Sequence, residues 1–552
     1  MSPVLFYFRP VQKKHFQRNS TAALMALGGC LIIYIWIGVF AASPSGGQDS
    51  WNHYLYARWG FKHPILLLDQ WGKTVFTVLV APLAKLGISP VLIFNTFCLL
   101  LAAWVVYLTA RRVGMRNPWI CLFLMGLQPV VMANSYSMLT EPSMALMLAF
   151  VLYFFASNRY VSATVLASFL PMARTEGYLL LAAVMFFLVL RKKWKLLPLA
   201  LPGLVIYAFV GAIISGDWAW IYHANPYFNV ENNPMATAGE GDAFHFVILT
   251  PQIQGWVVGV TMLPSLFMLA GYIFRRLQKK SPAYVFQQAL WLWWPLVLLF
   301  WGAHSYSWYK GSFGSHGLHR VFLVISPAMA LLSMQTFDAI FGFQILWLNR
   351  AIKSMVVVAM VALGFPAAGM PYPWQMGIDR PSIKGDPQVE LAMRMINEKP
   401  EILNKGILAH QLPELNAKLN LDPWGAEVHL REGRTSESDI AQWPKEDRTL
   451  YLWSLSMDVK QDWFPDGTWL LVDNFYAVRE GGVKLEQLLL NKAYAPQAVV
   501  NKDGFLDFSA GWTVYPPLSA VKKPLQKDNS QIVEQFHSTA DGQLWLFQKV
   551  EK

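Results

Sequence analysis

The chain has 552 residues, of which 55% are hydrophobic, 14% aromatic and only 14% charged, with a mean hydropathy of +0.32. A soluble protein carries roughly 25% charged residues, so this composition excludes an ordinary soluble enzyme and puts most of the chain in lipid. The formal net charge of +11 comes from basic residues dispersed over loops, which excludes a nucleic-acid footprint.

In chain order, the first long apolar run covers residues 22–42. It lacks a small-residue cleavage site and is too long for a signal-peptide core, so it reads as a retained signal-anchor helix. Further candidate spans follow at 89–110, 118–134, 140–157, 161–174, 177–190, 196–215, 254–274, 288–304, 319–340 and 351–370. Several are shorter than the roughly 20 residues a straight crossing prefers. The basic clusters Arg9/Lys13/Lys14/Arg18, Arg111/Arg112/Arg116, Arg159, Arg191/Lys192/Lys193/Lys195, Arg275/Arg276/Lys279/Lys280 and Arg350/Lys353 all land on one side of these spans. By the positive-inside rule that side is the cytoplasm. The expectation is a multi-pass protein of the cytoplasmic (inner) membrane with eleven crossings, the N-terminus inside and the C-terminal segment outside. Cys30, Cys98 and Cys121 all fall within spans, in no metal or disulfide pattern.

The polar residues of the outer turns carry the chemistry. The first turn holds Asp49, His53, Arg58, Lys62, His63, Asp69 and Lys73 among Trp51, Tyr54, Tyr56, Trp59 and Trp71. A charge beside the membrane is costly unless paired or used, so Asp49 reads either as a helix cap or as a functional carboxylate. The second turn ends in Thr140-Glu141-Pro142, where Glu141 meets a helix start and reads equally as a cap or a site acid. The third, Ala173-Arg174-Thr175-Glu176-Gly177, sets Arg174 against the charge bias. It calls for an anion there, either Glu176 or a lipid phosphate. The long loop 216–252 reads as a substrate lid. The fifth outer turn runs from His304 to Arg320, so that His319 and Arg320 enter a span from outside; snorkelling is the plain alternative for Arg320.

Past Met370, Pro371-Tyr372-Pro373 breaks the last helix and ordinary polar content begins. Residues 1–371 are expected to form the membrane domain and 372–552 a soluble extracytoplasmic α/β domain. In the latter, stretches 406–409, 449–453, 468–472 and 543–547 read as strands and 411–419 and 484–492 as helices. No internal repeat stands out. The fold class is mainly α: a polytopic helix bundle with an appended α/β domain.

Carboxylates, histidines and arginines collected at one membrane face suit transfer of a sugar from a lipid phosphate. The leaving group is already good, so the needs are a carboxylate to take a proton from the acceptor hydroxyl and cations to hold the departing phosphate. The chain resembles the GT-C superfamily of integral membrane glycosyltransferases, in particular bacterial members related to protein mannosyltransferases and lipid A aminoarabinose transferases. The resemblance is carried by Gln48-Asp49-Ser50-Trp51-Asn52-His53-Tyr54 with Ala57-Arg58, by Thr140-Glu141-Pro142, by Ala173-Arg174-Thr175-Glu176-Gly177, and by Gly314-Ser315-His316-Gly317-Leu318-His319-Arg320 before Ile325-Ser326-Pro327. It implies Asp49 as catalytic base or acceptor-orienting group and Glu141 as the second acid of the site. It further implies Arg174 and Arg320 on the donor phosphate with His319 assisting, and His53, Arg58 and Glu176 on the acceptor or substrate. Many relatives have Asp-Glu at the first position, whereas Ser50 follows Asp49 here, and the second turn has one carboxylate where some relatives have two. No metal is therefore expected to be obligatory; for Mg2+ or Mn2+ the candidate ligand is Glu141.

The expected function is inverting transfer of a sugar from a polyprenyl-phosphate donor to a lipid, glycan or protein acceptor on the outer side, with membrane lipids as the other partners. A transporter or flippase of lipid-linked saccharide is the alternative. It would place ionisable groups mid-span and break its helices there.

Overall fold

A computed structural model describes residues 13–224, 241–277, 285–311, 317–341, 346–364, 385–451 and 464–473, and shorter stretches between 477 and 550. The chain is mainly helical and divides into two units, Met1–Ile383 and Lys384–Lys552. The expected boundary after residue 371, the helix at 484–492 and motif residues 314–316 lie largely or wholly outside the described residues.

Among the described residues of the first unit, four helical stretches are long and apolar enough to cross a membrane: Ser20–Phe40, Ile88–Arg112, Trp194–Ser215 and His319–Ile340. They match the expected spans 22–42, 89–110, 196–215 and 319–340. Expected spans 140–157 and 177–190 are the shorter apolar helices Glu141–Ala156 and Gly177–Leu190. Others are interrupted. The run 118–134 splits into Ile120–Gly126 and Pro129–Ala133, the run 161–174 into Tyr160–Ala167 and Leu170–Ala173, and the run 254–274 into Trp256–Thr261 and Pro264–Leu277. Pro129, Pro171 and Pro264 each occupy the first turn of the second piece. There the missing N–H costs nothing, while further upstream the ring forbids a continuous helix.

The helix Lys13–Phe40 shows how the bundle is packed. Ala23, Ala26, Cys30, Tyr34 and Ile37 are buried at spacings of three and four, while Leu24, Met25, Ile32, Ile35 and Val39 face outward. Lipid is as apolar as leucine, so helices associate here by close packing and hydrogen bonds rather than by hydrophobic burial. A Cβ on Gly126 would sit 2.7 Å from the Cys30 sulfur, and the Tyr34 hydroxyl donates to the Gly126 carbonyl at 2.8 Å.

The stretch His319–Ile340 is the interior element: residues 320–338 are buried without interruption. It begins as a 3-10 helix, His319–Ile325, and continues as α-helix from Ser326. Side chains from elsewhere in the bundle donate to carbonyls near the change of pitch. Gln254 donates to Phe322 O at 3.0 Å and Gln128 to Ser326 O at 3.3 Å. Within a membrane, where backbone groups cannot reach bulk water, such partners matter most.

In the second unit the strands are β1 (Leu408–His410), β2 (Thr449–Tyr451), β3 (Trp469–Asp473), β4 (Tyr494–Asn501), β5 (Phe505–Asp507), β6 (Thr513–Val514) and β7 (Gln543–Lys549). They form one mixed sheet in the order β2-β1-β3-β7-β4-β5-β6, parallel among β2, β1 and β3 and antiparallel elsewhere. Along β7 the two-residue period sends Trp545 and Phe547 into one core cluster and Leu544 and Leu546 into another, so both faces of the sheet are covered. Each such burial contributes about 1.5–3 kcal/mol.

Candidate active site

The site begins where the turns around Ser45 and Ser137 are sewn together. Ser45 pairs with Ser137 in a short parallel bridge, and its N–H donates to Tyr136 O at 2.9 Å. Ser50 donates its hydroxyl to Ser45 O at 2.5 Å and accepts from the Met138 N–H at 3.1 Å. The Asn95 amide holds the same turn through Ser137 O and Leu139 O at 2.9 and 2.8 Å. Between Ser45 and the helix Gln48–Trp59 the chain passes Gly46 at φ +84°, and a Cβ there would meet the Leu139 side chain at 2.6 Å. Glycine is the residue that allows this entry. It delivers Asp49 to the first turn of a helix, where the dipole favours a carboxylate.

From Asp49 an unbroken row of alternating charges runs inward. The Asp49 carboxylate contacts Nη2 of Arg320, whose Nη1 donates to Gly46 O at 3.4 Å. Arg320 Nε lies 3.4 Å from Glu141 Oε1, and Arg174 Nη1 lies 2.8 Å from the same oxygen. Arg174 also forks onto Glu176, with Nη2–Oε1 at 2.9 Å and Nε–Oε2 at 3.2 Å, and donates to Thr140 Oγ1 at 2.9 Å. Glu141 is fully buried, and neither of its oxygens receives a hydrogen bond of good geometry among the described residues; the guanidinium groups hold it by charge. Asp49 is the open end of the row at 38% exposure, against 0–15% for the other four side chains.

Flanking groups close the site. His53 stacks on Trp71 with ring centroids 4.6 Å apart and 14° between planes. Burial pushes its imidazole down to about 3, against the upward pull of Asp49 and aided by Arg174, Arg320 and Lys73. Burial also works to raise the Glu176 carboxyl, but the Arg174 guanidinium with His304 overrides it and brings the group down to about 2.

Sequence reasoning on its own left two residues out of the site. Buried Lys73 donates to Gln70 O at 2.6 Å and to Thr175 Oγ1 at 2.9 Å, beside Arg174. His304 has Nε2 3.9 Å from Glu176 Oε1 and is walled by Phe300, Phe246 and Phe322. The signal for Lys73 is its place in the same interspan turn as Asp49; for His304 it is a histidine at the end of an apolar run.

Two further expected site residues make other contacts. Arg58 points along its helix to the end of Thr74–Ala84, donating to Ala84 O at 3.3 Å and Lys85 O at 2.7 Å, which is a C-terminal capping role. His319 faces His245, with ring centroids 5.8 Å apart.

No protein-family model matches the chain, and no curated protein does. Among solved structures it is similar to ArnT from Cupriavidus metallidurans in the apo state, at 12% identity and a TM-score of 0.47, covering 84% of this chain and 94% of that one. For ArnT bound to undecaprenyl phosphate the identity is 14% and the TM-score 0.45, over 84% and 95%. The Archaeoglobus fulgidus oligosaccharyltransferase tethered with an acceptor peptide is similar at 12% identity and a TM-score of 0.48, over 92% of this chain and 75% of that one. Likenesses this loose fix no activity.

Chemically, the row offers one accessible carboxylate backed by two guanidinium groups and an ammonium. It does not fit a divalent cation at Glu141, because two guanidinium groups already stand within 3.4 Å of Oε1 and would repel it. Among the described residues no group of three or more His, Cys, Asp and Glu is placed to hold a metal.

Proposed function

We propose that the chain is a membrane glycosyltransferase that moves a sugar from a polyprenyl-phosphate donor to an acceptor on the extracytoplasmic side, by a single inverting displacement. The reading includes eleven crossings, a cytoplasmic N-terminus and an extracytoplasmic second unit. The observation that carries it is the gradient of exposure along the charge row, open at Asp49 and closed at Glu141 and Arg174. An arriving phosphate diester competes with Asp49 for Arg320, since guanidinium binds phosphate in the same forked manner as carboxylate. Taking that place releases Asp49, which then accepts the proton from the acceptor hydroxyl as the hydroxyl oxygen attacks the anomeric carbon. The C–O bond to phosphate breaks on the opposite face, and the charge gathering on the phosphate is held by Arg320, with Arg174 and Lys73 behind it. Glu141 keeps both arginines in place and takes no proton.

The sequence features support the sidedness. Glu141 and Glu176 stand at the starts of helices whose far ends are followed by Arg159 and by Arg191 to Lys193, and Asp49 follows the end of a helix whose first turns carry Lys13, Lys14 and Arg18. Basic residues thus mark the opposite, cytoplasmic end.

The test is transfer in reconstituted membranes from a panel of labelled polyprenyl-phosphate sugars, by wild type and Asp49→Asn. Expected is turnover by wild type, a loss of about a hundredfold or more in the variant, and donor binding that is retained or tightened because the competing carboxylate is gone. Turnover by the variant at the wild-type rate rules out Asp49 as base. The proline breaks favour the transporter alternative, which expects interrupted helices. Movement of labelled donor across the bilayer without transfer would establish it instead.

A further inference from the structure

We propose that the end of the first unit opposite Asp49 carries a binding cleft for the phosphate of an anionic lipid headgroup. This goes beyond the transfer reaction, which it neither uses nor requires. An open cleft of about 520 Å³ lies between the turn ending the helix Glu141–Ala156 and the turn ending the helix Gly177–Leu190. The two turns are built alike. Arg159 N–H reaches back to Phe154 O at 2.8 Å and Asn158 N–H to Phe155 O at 3.0 Å; Lys193 N–H reaches Leu188 O at 2.8 Å and Lys192 N–H reaches Val189 O at 2.9 Å. Each is the double hydrogen bond of a Schellman cap, with Asn158 at φ +59° and Lys192 at φ +56° in the left-handed position. Arg159 and Lys193 therefore occupy equivalent places in the two turns. Tyr160 ties them together: Arg191 Nη2 donates to its hydroxyl at 3.2 Å, and Lys193 Nζ lies 5.6 Å from its ring centre.

Arg159, Lys192, Lys193 and Lys195 line the cleft, no carboxylate does, and none of the four has an ion pair among the described residues. Two helix C-termini point their negative dipole ends here, which explains part of the basic content but not its excess. Four like charges facing one cleft repel each other, and an anion relieves that. Its source is argued from the rim. Trp194, Val161 and Val189 are 61%, 54% and 51% exposed beside the charges. A lipid phosphate places its headgroup among the cations and its acyl chain along these apolar side chains, with Tyr160 and Trp194 at the interface where such rings belong. A free phosphate would use the cations and leave the rim uncovered.

The full chain, purified in detergent with equal amounts of phosphatidylglycerol and phosphatidylcholine, is examined by native mass spectrometry for retained lipid. Wild type is expected to retain phosphatidylglycerol preferentially. Arg159→Gln/Lys193→Gln/Lys195→Gln is expected to lose that preference by about tenfold or more, and Lys193→Arg/Lys195→Arg to keep it. Should the triple variant not fold, added salt applied to wild type gives the same reading, because screening collapses a charge-based preference and leaves acyl retention unchanged. Equal retention of both lipids, together with a rise in wild-type Tm on adding inorganic phosphate that the triple variant lacks, would reassign the cleft to soluble phosphate and overturn the lipid source. Equal retention with no effect of phosphate overturns the site.

Discussion

The two ends of the first unit use charge in opposite ways. At one end Asp49, Arg320, Glu141, Arg174 and Glu176 neutralise each other in a row that is buried except at its tip. At the other, Arg159, Lys192, Lys193 and Lys195 stand in the open around a cleft that no carboxylate lines among the described residues. The basic end is made by two short turns about 34 positions apart, and its residues are exposed. The paired end is assembled from four segments across some 270 positions, as in the contact of Asp49 with Arg320 271 residues away. Buried charge tolerates no missing partner, whereas exposed charge does. A single substitution should therefore cost far more at one end than at the other.

The largest effect is expected at the closed part of the row. Glu141→Gln keeps the shape and removes the charge shared by two buried guanidinium groups. Removing one member of a buried ionic set costs about 3–5 kcal/mol, so the variant should unfold well below wild type in a thermal scan in detergent. A matching loss from Lys195→Gln at the basic end would break the contrast, as would a Glu141→Gln protein of wild-type Tm. Asp49→Asn sharpens it: at the exposed tip the same loss of charge should change stability by no more than about 1 kcal/mol while abolishing most transfer.

Much of this row was legible in the sequence because hydropathy and basic loops together fix which turns share an end. Asp49, Glu141, Arg174, Glu176 and Arg320 were brought to one end by counting helices, and the structure puts them in contact. What hydropathy cannot see is direction. Arg58 lies on the same short helix as Asp49 but nine residues on, two and a half turns away, and its long side chain finds the free carbonyls after Ala84. Lys73 reaches Thr175 only because it takes φ +63° after the turn at Gly72, a conformation no propensity predicts. The apolar runs also hid their breaks, since mean hydropathy hardly registers one proline while the helix ends there. In the second unit, β4 escaped because Pro496 sits within it, at the point where its register with β7 shifts.

A smaller effect is expected at Gly46, which lets the row begin. Gly46→Ala must hold φ +84° with a side chain and place a Cβ 3.0 Å from Arg320 Nη1. The strain should cost about 1–2 kcal/mol, and transfer should fall with it because Arg320 is displaced. Stability and transfer both at wild-type values would mean that Arg320 is held from the Glu141 side alone.

The smallest effect is a pH dependence at His53, which tests whether the paired end really is closed to water. Its imidazole is lowered from 6.5 to about 3 by burial, so the folded state keeps it neutral where the unfolded chain takes a proton. Stability from this group is complete above pH 6.5 and declines as the pH falls from 6.5 toward 3, since the unfolded state then binds the extra proton. Near pH 6 the loss is about 0.8 kcal/mol. Glu176, lowered from 4.5 to about 2, adds its own loss only below pH 4.5, which leaves the upper part of the window to histidine. His410 in the second unit, lowered to about 4 by burial, shares that window, so the readout is the difference between wild type and His53→Phe. Phenylalanine preserves the stack on Trp71 and cannot titrate. Its acid-unfolding curve should be flatter than wild type between pH 6.5 and 4.5; superimposable curves would mean that water reaches the ring and that the site is open on the His53 side as well as at Asp49.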